Sequence, residues 1–203
     1  MQYFVTGATG FIGKRLVKTL LARKGAIVYF LLRPESENKV AALLEYWGVS
    51  KTRAVPVYGD LTSKKLGVAA DDVKALKGQI DHLYHLAAVY DLSADEESQG
   101  KVNIEGTRSA VEFAKAIDAG HFHHVSSIAA AGLYEGVFRE DMFDEAEGLD
   151  HPYFMTKHES EKIVRKECKV PWTVYRPAMV VGDSKTGEMD KIDGPYYFFK
   201  LIQ

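Results

Sequence analysis

Short apolar runs rich in β-branched residues alternate along the chain with longer stretches whose apolar positions recur at helical spacing. The short runs fall at 3–5, 26–32, 54–57, 82–86, 122–125 and 173–175 and predict strands. The longer stretches at 11–23, 35–47, 71–76, 96–117 and 152–167 predict helices. Alternation of this kind builds βαβ units. The expected class is therefore α/β: a Rossmann-type doubly wound parallel sheet with helices on both faces. The run Ala26-Ile27-Val28-Tyr29-Phe30-Leu31-Leu32 is apolar throughout, as a strand buried on both faces should be. No internal repeat or low-complexity tract interrupts the pattern.

The first strand leads straight into Thr6-Gly7-Ala8-Thr9-Gly10-Phe11-Ile12-Gly13, which opens the first helix. Glycines here let the backbone turn tightly and approach a pyrophosphate, while the helix N-terminus offers free N–H groups and partial positive charge. The spacing is G-x-x-G-x-x-G rather than the G-x-G-x-x-G of many dehydrogenases. Its position between a strand and a helix marks it as a dinucleotide loop, with Gly7, Thr9, Gly10, Phe11, Ile12 and Gly13 expected against the cofactor. The second strand ends in Arg33, where NAD enzymes place a carboxylate for the ribose hydroxyls. A guanidinium there suits a 2′-phosphate, so NADP(H) is the expected cofactor, the alternative being an ordinary surface arginine. Asp60 and Leu61 follow the third strand. Asp60 is placed to accept from an adenine amino group or else to cap a turn. Ala87 and Ala88 after the fourth strand are small enough to let a dinucleotide cross the sheet edge.

Tyr153 and Lys157 stand at i and i+4 on a predicted helix and project from one face. A phenol of pKa about 10 is a poor acid at neutral pH, but a neighbouring ammonium lowers that value. A tuned phenol can give a proton to a carbonyl oxygen as hydride reaches the carbon. Ser126 and Ser127 end the fifth strand, where a hydroxyl would polarise that carbonyl. Strand alternation puts the two on opposite sides without saying which faces the cofactor. Capping a turn is the alternative role for either. His121 and His123 share one strand face, yet no carboxylate or thiolate accompanies them in sequence, and no metal is expected.

Composition adds limits. The chain of 203 residues is 46% apolar and 27% charged with a formal net charge of -2, ordinary for a globular protein and no footprint for nucleic acid. The single cysteine, Cys168, excludes an internal disulfide framework and fits a reducing compartment. There is no targeting segment and no run near the ~20 apolar residues of a membrane span, so the expected location is the cytoplasm. Residues 1–176 read as one dinucleotide-binding domain carrying the catalytic residues. From Pro177 the chain becomes rich in glycine and aromatic residues and ends at Gln203, which reads as the truncated start of a substrate-binding region over 177–203.

The glycine loop, the Tyr153/Lys157 pair behind a strand-end Ser-Ser, and Asn103 in Val-Asn-Ile-Glu-Gly-Thr together resemble the extended short-chain dehydrogenases/reductases, across essentially the whole chain. In that family the second strand-end residue is catalytic, which assigns Ser127, and the lysine also binds the nicotinamide ribose. Three further segments are similar to thioester reductases and bacterial multidomain fatty acyl-CoA reductases: Arg176-Pro177 through Glu188, His123 through Gly132, and Gly194 through Phe199. The resemblance implies reduction of an acyl thioester or aldehyde by NADPH, with Tyr153 as acid. It also implies further C-terminal domains and a homodimer paired through the helices of Asn103 and Tyr153. Two other readings share the fold. One is a nucleotide-sugar epimerase, dehydratase or hydroxysteroid-type dehydrogenase, which commonly uses NAD and is disfavoured by Arg33. The other is a silent NADP-binding scaffold, disfavoured by the intact Ser-Tyr-Lys set.

Overall fold

A computed structural model describes residues 1–88, 100–190 and 196. The elements run β1 (Gln2–Thr6), α1 (Phe11–Leu21), β2 (Ile27–Leu32), α2 (Val40–Trp47), β3 (Ala54–Tyr58), α3 (Ala70–Leu76), β4 (His82–His85), α4 (Gly106–Ala116), β5 (His121–Val125), α5 (Pro152–Glu167) and β6 (Trp172–Tyr175). The six strands form one sheet in the order β3-β2-β1-β4-β5-β6, and every neighbouring pair is parallel. The strand order reverses direction between β1 and β4. Helices leave β1 and β4 toward opposite faces there, which opens a crevice at the carboxyl ends of the strands.

Residue alternation along β1 assigns the two faces. Tyr3 and Val5 pack with Val17, Leu20 and Leu21 of α1 and with Val40, Leu43 and Trp47 of α2. Phe4 points the other way, into a core with Leu76 of α3, Phe113 and Ile117 of α4, and Ile163 and Val164 of α5. Its ring meets that of Phe113 at 4.8 Å. On the opposite face Phe30 meets Trp47 edge-on at 5.2 Å, and the Trp47 indole N–H donates to the Lys14 carbonyl at 2.9 Å, clamping α2 to α1. The helix carrying Tyr153 and Lys157 has the expected bounds. Pro152 occupies its first turn, and the His151 ring accepts from the Tyr153 N–H at 3.1 Å.

Three expectations change. The strand expected over 26–32 starts at Ile27 and is not equally buried on both faces: Val28, Phe30 and Leu32 are buried, but Ile27, Tyr29 and Leu31 only partly. Two helices cover the first face, whereas the second has the seven-residue α3 beside this part of the sheet. The helix expected over 35–47 divides into a 3-10 segment, Pro34–Lys39, with no buried residue, and then α2. Pro34 starts the tight turn, and the polar run behind it has no apolar face to lay on the sheet. Of the helix expected over 96–117, residues 96–99 lie outside the described residues. The remainder is not one regular helix: a π-helical segment, Lys101–Glu105, precedes α4. The sequence-predicted motif at Gly194–Phe199 lies, apart from Tyr196, outside the described residues.

Candidate active site

The loop after β1 is built on two close backbone approaches. Gly7 has φ +74°, and a Cβ there would lie 2.7 Å from the Ala87 nitrogen at the end of β4. A Cβ on Gly13 would lie 2.0 Å from the Gly7 carbonyl oxygen, so the start of α1 presses directly on the loop. Gly10 precedes α1 in extended conformation with no side-chain cap. The first-turn N–H groups are therefore left for a ligand, and an anion is the ligand they suit. This cradle, which side chains would fill, fits a dinucleotide pyrophosphate.

A buried polar chain holds the loop in register. Thr6 and His85 are partners across β1 and β4. The His85 Nδ1 lies 2.8 Å from Thr6 Oγ1, its Nε2 lies 3.1 Å from Thr107 Oγ1, and Thr107 Oγ1 donates to the Asn103 carbonyl at 2.7 Å. One tautomer satisfies all of these, with the proton on Nε2. Thr6 Oγ1 then donates to Nδ1 while accepting from the Ala87 N–H at 3.3 Å. Burial, and secondarily the charge on Lys157, push His85 down to about 3, so it is neutral in this role. Spacing along the chain carries no sign of this network, which exists only once β1 and β4 are neighbours.

A cavity of about 500 Å³ opens above the carboxyl ends of the strands, and its walls include Gly7, Gly10, Phe11, Ile12 and Gly13 together with Ser127, Tyr153 and Lys157. The glycine loop and the Ser-Tyr-Lys set thus share one space of ordinary ligand size. Leu86, Ala88, Val125 and Ser126 complete the floor, and Pro177, Ala178, Met179, Val180, Gly182 and Met189 form a wall within the region expected to begin substrate binding, none of them among the site residues predicted from the sequence. Lys14 and Arg15 of α1 pair with Asp190, Arg15 at 3.2 Å, and so tie the end of that wall to the helix that follows the glycine loop.

Five predicted contacts are not among the cavity walls. Thr9 is exposed on the loop, and Ala87 contributes its N–H to Thr6. Arg33 is exposed just past β2; its carbonyl accepts from the Ser36 N–H at 2.9 Å, and its guanidinium makes no hydrogen bond or ion pair among the described residues. One Asp60 carboxylate oxygen accepts from the Thr62 N–H at 2.7 Å and the Thr62 hydroxyl at 2.6 Å, an Asx turn. Leu61 packs on α4, where a Cβ at Gly106 would come within 2.7 Å of its Cγ. Arg33 and Asp60 nevertheless both stand at the carboxyl edge, on the β2–β3 side of the glycine loop.

Tyr153 is 9% exposed and Lys157 4%. The Lys157 ammonium donates to the Val125 carbonyl at 3.0 Å. Burial lowers it to about 8, against an opposing attraction from Glu161. Ser127 Oγ accepts from the Ala129 N–H at 3.1 Å, capping a short 3-10 turn. Ser126 instead donates its hydroxyl to buried Glu161 at 2.9 Å. Asn103 Nδ2 donates to Thr156 Oγ1 at 3.3 Å, joining the turn before α4 to α5. His121 and His123 bond to hydroxyls of β6, Thr173 at 2.9 Å and Tyr175 at 3.0 Å. Among the described residues no group of His, Cys, Asp or Glu could hold a metal ion.

The NAD-binding family model described as Male sterility protein matches residues 5–203. The chain belongs to this family. Its members share the extended short-chain dehydrogenase/reductase fold and bind a nicotinamide cofactor, and the family is one of oxidoreductases. Among relatives, this family member is 32% identical over 204 residues to a component of the linear gramicidin synthase of Brevibacillus parabrevis, covering 93% of the chain and 4% of that protein. It is 27% identical over 245 residues to a fatty acyl-CoA reductase homologue of Drosophila melanogaster, CG8306, covering 97% of the chain and 47% of that protein. The solved terminal R domain of the myxalamid PKS-NRPS pathway superposes with a TM-score of 0.78 at 31% identity, covering 91% of the chain and 51% of that domain. The chain thus spans about half, or far less, of the relatives it matches. Among the described residues no helix is long and apolar enough to cross a membrane.

The tight loop and the buried amine each make a measurable demand on this family member. Gly13→Ala should cost about 1–3 kcal/mol in urea unfolding, because backbone must move to admit the methyl, and should weaken dinucleotide binding in calorimetry. An unchanged midpoint with intact binding would show that the loop yields freely. Lys157 has a folded pKa below its unfolded one, so between about 8 and 10.5 the unfolded chain binds the extra proton and stability rises with pH. The unfolding free energy of the wild type should therefore gain on that of Lys157→Met across this window, by something on the order of 3 kcal/mol. A flat difference would mean that the amine is not buried as described.

Proposed function

We propose that this chain is the NADPH-binding, catalytic portion of a reductase acting on an acyl thioester or on the aldehyde derived from it. The observation that carries the reading is the shared cavity, whose walls include both the open N-terminus of α1 and the set Ser127, Tyr153 and Lys157. The loop Gly7–Gly13 would hold the pyrophosphate, and Lys157 the nicotinamide ribose. When bound, the cofactor supplies hydride to the carbonyl carbon. The Tyr153 phenol gives its proton to the carbonyl oxygen, Ser127 donates a hydrogen bond to the same oxygen, and the Lys157 charge makes the phenol a stronger acid. With a thioester substrate the resulting hemithioacetal breaks its C–S bond, the hydroxyl losing its proton and the departing thiolate taking one up, to give an aldehyde and a free thiol. The likeness to a fatty acyl-CoA reductase homologue and to the terminal R domain of the myxalamid PKS-NRPS pathway supports this choice of substrate. The residues after Pro177 would begin the substrate-binding region, since several of them already wall the cavity.

The preference for NADPH rests on Arg33, exposed at the end of β2, whose guanidinium has no partner among the described residues and which stands where a carboxylate would favour NAD. Arg33→Ala should weaken NADPH binding roughly 10- to 100-fold and leave NADH binding nearly unchanged. Tighter binding of NADH than NADPH by the wild type would favour the epimerase-type reading instead. In the full-length protein, Tyr153→Phe should lower NADPH oxidation with acyl-CoA substrates by about 100-fold or more while NADPH affinity holds. Turnover retained in that variant would remove Tyr153 as the acid.

A further inference from the structure

We propose that Glu161 is a positioning residue: its buried carboxylate ties the strand end beside Ser127 and the cavity wall that starts at Pro177 to the helix bearing Tyr153 and Lys157. The inference rests on the reductase reading of the site, but Glu161 itself is not among the cavity walls.

Glu161 is 0% exposed and lies one helical turn beyond Lys157 on α5. Its Oε2 accepts from Ser126 Oγ at 2.9 Å and from Arg176 Nε at 3.1 Å. Its Oε1 accepts from Arg176 Nη2 at 2.6 Å and from Arg165 Nε at 2.9 Å. Arg176 also donates to the carbonyls of Met142 at 2.8 Å and Arg139 at 3.3 Å, so the 139–142 loop is held by the same pair. Burial alone would raise the Glu161 carboxyl, but the bonds from Arg176, Arg165 and Ser126 outweigh it and keep the group below its usual range.

Such a group is weak evidence for stability, because well-packed apolar residues of similar volume often serve as well. Four hydrogen bonds from three side chains specify position instead. Each anchor adjoins a group that faces the cavity: Ser126 precedes Ser127, Arg176 precedes Pro177, and Glu161 follows Lys157. The backbone bonds agree. The Ser126 N–H donates to the Tyr175 carbonyl at 2.8 Å and the Ile128 N–H to the Pro177 carbonyl at 3.1 Å, bracketing Ser127. Loss of the carboxylate link would let the Ser127 hydroxyl drift relative to the Tyr153 phenol without touching the phosphate loop.

The test uses the full-length protein, NADPH, and octanoyl-, lauroyl- and palmitoyl-CoA as probes. Ser126→Ala removes one bond and leaves the ion pairs whole. It should lower kcat about 10- to 100-fold, as small misplacements do, with Tm and NADPH affinity near wild type. Hydrogen exchange of the Ile128 amide should quicken in the same variant without substrate present, and Ser126→Thr should restore most of both. A double variant of Ser126→Ala with Glu161→Gln should fall no further than Glu161→Gln alone. Wild-type kcat in Ser126→Ala, a loss that merely follows Tm, unchanged exchange at Ile128, or additive losses in the double variant would each overturn the proposal. If Glu161→Gln fails to fold, the alanine and threonine variants at Ser126 still decide. Ser127→Ala and Tyr153→Phe run alongside. If they keep turnover, the reading of the site has failed; if they are inactive while Ser126→Ala is intact, only the role of Glu161 has.

Discussion

The start of α1 lies so close to the loop after β1 that residue 13 has no room for a methyl group. Much else in the molecule follows from that contact. It aims the open end of the helix at the carboxyl edge of the sheet, and it does so at the switch point between β1 and β4. The Gly7 turn itself meets the backbone of Ala87, just beyond β4, so loop, helix and neighbouring strand are held by backbone rather than by side chains that could adjust. A polar ligand approaching this point meets N–H groups already oriented, with little left to reorganise.

The cavity behind that loop is organised by buried polar groups whose protonation is set by their surroundings. His85 is kept neutral and joins Thr6, at the start of the glycine loop, to α4. Lys157 is buried to the point that its proton is held less firmly than on the surface, with the Val125 carbonyl as hydrogen-bond partner. Glu161 keeps its charge because two guanidinium groups face it. A dry site makes each of these interactions stronger and makes each unmatched group costly. The chemistry proposed for Tyr153 therefore depends on residues that never meet the substrate. The same reasoning applies to the wall from Pro177 onward, which gains its place through Arg176 at one end and through Lys14 and Arg15 at the other.

Membership of the male sterility protein family is consistent with this division of labour. The glycine loop, the six-stranded sheet and helices α1 to α5 all fall within the described residues, and the loop with the start of α1 forms a cradle suited to an anionic ligand. In the proposed reading, substrate choice draws on the wall after Pro177, which contains no helix or strand among the described residues.

Local spacing by itself determined the alternation of strands and helices, the glycine loop, the i and i+4 placement of Tyr153 and Lys157, and the arginine in place of a carboxylate after β2. These features are short-range: a turn, a helical face or a strand end is specified by residues a few positions apart. Tertiary structure alone decided the rest. It turned Ser126 rather than Ser127 toward Glu161, joined Thr6 to Thr107 through His85, gave the Asp60 carboxylate to Thr62, and left β2 half-covered on one side. Each of those outcomes depends on which distant segments become neighbours, and on how much apolar surface a short helix such as α3 can cover, neither of which is written in any one stretch of the chain.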